Sequence, residues 1–167
     1  MSIFFKSDEL LEMAQHIEKN GARFYSKAAE RFTDSKISTL LQDLALMEGE
    51  HEKIFSDMKE GILKQKEKAS GSEFDDETAS YLHAWADGHV FDVRTDPSEQ
   101  LTGQETMEDI FKKAIELEKD SIVFYLGFKD AVQGKHEREA IERILKEEMR
   151  HIASLSEQLA SFRHKLV

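Results

Sequence analysis

The stretch Ile17-Glu18-Lys19-Asn20-Gly21-Ala22-Arg23-Phe24-Tyr25 returns one hundred residues later as Leu117-Glu118-Lys119-Asp120-Ser121-Ile122-Val123-Phe124-Tyr125. With the same offset, Glu48-Gly49-Glu50-His51 returns as Glu148-Met149-Arg150-His151. The chain therefore carries Glu-x29-Glu-x2-His twice: Glu18, Glu48, His51 and Glu118, Glu148, His151. Four carboxylates and two imidazoles in duplicate are a ligand set for two metal ions.

Around these residues the apolar positions recur at helical spacing. One stripe is Leu11, Ala14, Glu18, Gly21, Tyr25, Ala28 and Phe32, and a second is Ile37, Leu41, Leu44, Glu48, His51, Phe55, Met58 and Ile62. A third is Met107, Phe111, Ala114, Glu118, Ser121, Tyr125, Phe128 and Val132, and a fourth is Ile141, Ile144, Glu148, His151, Leu155 and Phe162. Each is apolar at both ends and interrupted at its middle by Glu or by Glu and His.

Helix signals bound the four segments. The first spans Ser7 to Phe32, with Ser7 as N-cap candidate and Asp8 and Glu9 complementing the dipole of the first turn. The second follows Asp34, another N-cap candidate, and reaches Lys64–Lys68. The third opens at Thr102-Gly103-Gln104-Glu105, which has the spacing of a capping box, and ends near Gln133-Gly134, where Gly suits a left-handed C-terminal position. The fourth runs from Lys135 to His164.

Glu18 and Glu48 are equidistant from residue 33, and Glu118 and Glu148 from residue 133. In an antiparallel hairpin such residues face each other. Fifteen residues at 1.5 Å rise set each Glu roughly 20 Å from its turn, and Glu and His three apart share a face. Each hairpin thus presents two Glu and one His at one height, and docking the hairpins about a pseudo-two-fold axis unites all six groups. The expected fold is all-α: an antiparallel four-helix bundle forming one domain over 1–167, with hairpins at 7–68 and 102–164. The crossover, 69–101, is long enough to join parallel helices. It should hold a short helix near Asp76 to Gly88 carrying Tyr81, Leu82 and Trp85, whose apolar residues would cover the bundle or an oligomer contact.

Charge explains the metal requirement. An unpaired buried carboxylate costs several kcal/mol, and no Lys or Arg stands in the stripes at that height. Two divalent cations balance four carboxylates while the imidazoles stay neutral. Oxygen-rich ligands with two imidazoles suit two iron ions, with manganese or zinc as alternatives. One Glu of each set is expected to bridge.

The composition narrows the class. The net charge of -11 argues against nucleic acid and anionic membranes, and the absence of cysteine excludes disulfides, thiolate zinc and iron–sulfur sites held by these residues. Ile3-Phe4-Phe5 is too short for a signal-peptide core, and no apolar run spans a bilayer, so a cytoplasmic location is expected.

Tyr25 and Tyr125 lie two turns beyond Glu18 and Glu118 on the same face. They are candidates to donate to ligand carboxylates across the bundle and to relay electrons or protons, against the alternative of ordinary core tyrosines. Glu147 is a candidate to orient His51, although its counterpart in the repeat is Met47. His16, His83, His89, His136 and His164 share no ligand spacing and read as surface or packing residues.

The paired segments at 17–25, 48–51, 117–125 and 148–151 resemble the ferritin-like superfamily, specifically its rubrerythrin branch. The likeness covers all four long helices. It implies a non-haem di-iron site, reduction of hydrogen peroxide or oxidation of ferrous iron, and a homodimer. Two departures stand out. Rubrerythrins usually add a rubredoxin domain with four Cys; here there is none, so electrons would come from an external donor such as a rubredoxin-like protein. They also carry an extra Glu three residues after the third helix's ligand, where this chain has Ser121, with Gly21 as counterpart.

The leading expectation is an oxidoreductase with a di-iron or Fe/Mn centre, acting on peroxide or oxygen. The alternatives are a ferroxidase or iron-handling protein, and a metal-stabilised helical interaction module without turnover.

Overall fold

The computed structural model describes residues 7–66, 76–86 and 95–164. Four long helices form the bundle: α1 (Ser7–Ala29), α2 (Ser35–Lys66), α4 (Met107–Ala131) and α5 (Lys135–His164). The crossover contributes a short helix, α3 (Asp76–Ala86), and a 3-10 turn, Pro97–Gln100. The expected short helix is present over Asp76–Ala86; the reading's last two residues to Gly88, Trp85's side chain and residues 67–75 and 87–94 lie outside the described residues.

α1 packs chiefly on α2 and α4 on α5. The core then falls into two apolar halves. One takes Leu10, Leu11 and Ala14 from α1, Phe55 from α2, Phe124 and Phe128 from α4, and Ile141, Ile144 and Leu145 from α5. The other takes Phe24 and Ala28 from α1, Leu41 and Leu44 from α2, Phe111 and Ala114 from α4, and Leu155 and Leu159 from α5. The early part of α1 and the late part of α2 thus share one end, together with late α4 and early α5. α1 and α5 run one way and α2 and α4 the other, so the crossover must travel the length of the bundle. Between the halves lies a polar layer.

Local chemistry sets the boundaries. Asp34 caps α2, its Oδ1 accepting from the backbone N–H of Lys36 at 2.9 Å and Ile37 at 3.4 Å. α1 stops at Ala29 rather than Phe32, because Arg31 and Phe32 donate to carbonyls only three residues back and tighten the last turn. α4 opens at Met107, not at Thr102. Glu105 does accept from the Thr102 and Gly103 backbone, but Gly103 at φ 96 leaves helical geometry. The working capping box is Thr106–Asp109: Asp109 N–H donates to Thr106 Oγ1 at 3.1 Å and Thr106 N–H to Asp109 Oδ2 at 2.9 Å. Gly134 is not left-handed; α4 ends through extended Val132 (φ -86, ψ 129), whose N–H reaches Phe128 O.

The crossover's second half is strapped to one face of α1. Asn20, Arg23, Lys27 and Arg31, at helical spacing, reach Thr95 O, Asp96, Ser98 O and Gly103 O in turn. Its first half docks on α4. Leu82 is fully buried in the core, and the Tyr81 hydroxyl donates to Val123 O. The Tyr81 ring lies where a Cβ on Gly127 would be. Gly127→Ala should therefore unseat α3, destabilising the protein by about 1–3 kcal/mol while bundle helicity persists; thermal unfolding followed by circular dichroism measures both.

Candidate metal centre

The polar layer is made of the six side chains singled out by the repeat. Glu18 and Glu148 are 0% exposed, His51 1%, His151 2%, Glu118 3% and Glu48 4%. One residue on each of α1 and α4 and two on each of α2 and α5 point inward at one level, as the turn-to-ligand distances require. His51 Nδ1 lies 2.9 Å from Glu148 Oε1 and 3.3 Å from Glu18 Oε2. His151 Nδ1 lies 3.1 Å from Glu148 Oε2, 3.3 Å from Glu48 Oε1 and 3.4 Å from Glu118 Oε1. The imidazoles stack at 5.9 Å between centroids, 20° from parallel.

The layer resolves into two quartets of donor atoms, each lying within 4.8 Å of one another: Glu18, Glu48, His51, Glu148 and Glu48, Glu118, Glu148, His151. Glu48 and Glu148 belong to both, which is the geometry a bridging carboxylate needs.

The donors fit a divalent cation pair. Glu18 Oε2, Glu48 Oε1, Glu148 Oε1 and His51 Nδ1 are buried without a hydrogen bond of good geometry. Such atoms are costly unless something else satisfies them. Without metal, Glu18, Glu118 and the two imidazoles hold protons more tightly than usual. Burial, then the charges of Glu48 and Glu148, push Glu18 well above the carboxylate range. Burial and the neighbouring Glu148 push Glu118 to about 8. Burial opposes charge on the imidazoles, yet the carboxylates beside them raise His51 to about 11 and His151 to about 12. Glu148 moves the other way: burial opposes its charge, but hydrogen bonds from Glu118 and both imidazoles hold it below its usual value.

The tyrosines cross between hairpins. Tyr25 OH donates to Glu118 Oε1 and Tyr125 OH to Glu18 Oε1. Each hairpin thus supplies the phenol for the other's carboxylate, and burial followed by those carboxylates pushes both phenols up. Tyr25→Phe leaves a buried oxygen of Glu118 without its donor and should cost about 1–3 kcal/mol of stability. Adding Tyr125→Phe should not double the loss, because the two share one network; denaturant unfolding of the single and double variants tests this.

Glu147 Oε2 lies 2.8 Å from His51 Nε2, as the sequence suggested. His16, His136 and His164 are exposed and belong to neither donor quartet, and the side chains of His83 and His89 lie outside the described residues. Between α1 and α4 the small residues Gly21 and Ser121, with Pro97 of the crossover, leave a cavity of about 20 Å³ against Glu48 and Glu118. A Cβ on Gly21 would come 3.0 Å from Glu48 Oε2, and Ser121 Oγ is turned back onto Leu117 O at 3.0 Å. The sequence marks these two positions as members of the inward stripes that lack a carboxylate. The cavity itself is not legible in the helical pattern, because it depends on Pro97 arriving from the crossover.

The family model described as ferritin-like domain matches residues 8–161. The chain belongs to the ferritin-like domain family. A crystal structure from Thermotoga maritima, described as a candidate ferritin-like diiron-carboxylate protein, superposes with TM-score 0.72 at 26% identity. The match covers 94% of this chain and 96% of that one. No curated protein matches the sequence. For this ferritin-like chain the buried Glu/His layer is the candidate metal site. Among the described residues, no helix is long and apolar enough to cross a membrane.

Proposed function

We propose that this protein is a rubrerythrin-like di-iron oxidoreductase that reduces hydrogen peroxide or dioxygen with electrons from a separate donor protein. The observation carrying this reading is the pair of buried quartets sharing Glu48 and Glu148. Glu18, Glu48, His51, Glu118, Glu148 and His151 would hold two iron ions, or iron with manganese. When bound, such a pair supplies the two electrons needed to split an O–O bond.

The rest of the work falls to the chain. Glu48 and Glu148, which belong to both quartets, would serve both metal positions and balance their charge. Tyr25 and Tyr125 hold their phenol protons against Glu118 and Glu18, within the layer where reduction of the oxidant would consume protons. The apolar halves above and below exclude bulk solvent. The cavity between Gly21 and Ser121 matches a small neutral oxidant in size and touches two ligand carboxylates. For peroxide, two protons and two electrons yield two waters. These 167 residues hold no cysteine to bind a rubredoxin-type iron, and in this proposal a separate donor supplies the electrons. The same reading takes the protein to act in the cytoplasm as a homodimer, without nucleic acid or membrane.

Stopped-flow mixing of the diferrous protein with peroxide tests it. Oxidation far faster than that of free ferrous ion is expected; a rate no faster removes the proposal. A ferroxidase role is the second reading, favoured by Gly21 and Ser121, which leave the centre with four Glu and two His. Light scattering separates the two, because a dimer argues against self-assembled storage and a 24-mer for it.

A further inference from the structure

The repeat makes the two halves of the metal layer look equivalent, but the side chains behind the imidazoles are not. His51 Nε2 faces Glu147 Oε2 at 2.8 Å. His51 is buried and Glu147 is 23% exposed, so the carboxylate closes the α2/α5 side of the layer. With its proton on Nε2 and donated to Glu147, His51 turns the Nδ1 lone pair toward Glu18 and Glu148. The residue that the repeat places at the corresponding position behind His151 is Met47, which has no charge and only a weak acceptor. Among the described residues, His151 Nε2 is buried without a hydrogen-bond partner. When Nδ1 of His151 gives its lone pair to a metal, the proton on Nε2 has no acceptor, so that side of the layer keeps a desolvated, unpaired donor.

We propose that the two metal positions are unequal, that the one served by His51 is the tighter, and that Glu147 is the positioning residue that makes it so. A carboxylate behind a ligating imidazole fixes ring and tautomer and makes the ring a stronger donor; losing such a partner lowers metal affinity about 10–100-fold. The inference rests on the di-metal reading and concerns the order in which the two positions fill. At limiting metal, the His51 side fills first and the shared glutamates are drawn toward it.

The test is anaerobic calorimetric titration of the full metal-free chain with cobalt(II), followed in parallel by the visible bands that cobalt(II) acquires in protein sites. The unaltered protein should take up two ions in two steps. Glu147→Met copies the repeat's own residue and should weaken the first step about 10–100-fold while leaving the second in place, so that the steps converge. Glu147→Gln keeps a neutral acceptor for Nε2 and should retain most of the first step's affinity. Circular dichroism of the metal-free variants controls for folding. The inference is overturned if Glu147→Met weakens both steps alike or neither. It is equally overturned if Glu147→Gln falls as far as Glu147→Met, which would mean long-range charge rather than a directed hydrogen bond. A protein that takes up fewer than two ions before any substitution removes the di-metal reading itself, whereas two ions indifferent to residue 147 remove only this inference.

Discussion

Glu148→Gln should abolish tight uptake of both metal ions, whereas Glu18→Gln should cripple only one. Glu148 belongs to both quartets and faces both imidazoles, at 2.9 Å and 3.1 Å. Gln keeps its shape but removes the negative charge and half of its oxygen donors. Glu18 belongs to one quartet alone. The expected loss for Glu148→Gln is at least about 100-fold at each step, equivalent to about 3 kcal/mol per ion. Metal stoichiometry by elemental analysis after gel filtration separates the variants: near zero for Glu148→Gln, about one ion for Glu18→Gln. Equal stoichiometries would show that the shared position is not shared in solution.

The second large effect is a dependence of stability on metal that grows with pH. In the metal-free protein, Glu118 titrates at about 8, His51 at about 11 and His151 at about 12, against ordinary values of 4.5 for the carboxylate and 6.5 for the imidazoles. All three bind protons more tightly folded than unfolded, and Glu18 shifts in the same direction. Their contribution is complete at low pH and is lost as pH rises, from about 4.5 for Glu118 and 6.5 for the imidazoles, through the folded values. Glu148, shifted down, contributes above its ordinary value and loses stability only on acidification. Between pH 6 and 9 the metal-free protein therefore weakens. Metal replaces the protons and competes better as they become scarce. At a thousand-fold excess over Kd, each ion stabilises by about 4 kcal/mol. Two ions correspond to roughly 15–30 °C in Tm for a chain of this size. Chelation should thus lower Tm little near pH 5 and by tens of degrees near pH 8.5. Scanning calorimetry with and without chelator checks this, and a gap that narrows with pH would contradict it.

The four helices and the six inward groups were legible because two independent periodicities agree. Helical spacing set Glu18, Glu48, Glu118 and Glu148 within apolar stripes, and equal distance to the turns set them at one height. Neither depends on distant contacts. The elements misjudged are those that local pattern cannot decide. Thr102–Glu105 and Thr106–Asp109 both have capping-box spacing, and only the backbone at Gly103 determines which one starts the helix. Phe32 continues its stripe, yet the chain has already turned to meet α2. The strap of Asn20, Arg23, Lys27 and Arg31 onto the crossover was invisible because it joins residues more than seventy apart with no repeat to announce them. The pairing of Glu147 with His51 was half legible: its place beside Glu148 pointed to His51, but the repeat offered Met47 rather than a second carboxylate in support, and the 2.8 Å contact depends on how α2 and α5 pack.

The exchanged phenols have an evolutionary corollary. Since Tyr25 serves Glu118 and Tyr125 serves Glu18, neither hairpin furnishes a finished cage alone, yet each holds every kind of group the cage requires. A polypeptide half this long, paired with its own twin about a dyad, would already assemble the full complement. Duplication and fusion of such a unit would free the two copies to diverge, and the repeat position that holds Met47 in one copy and Glu147 in the other is a place where they differ.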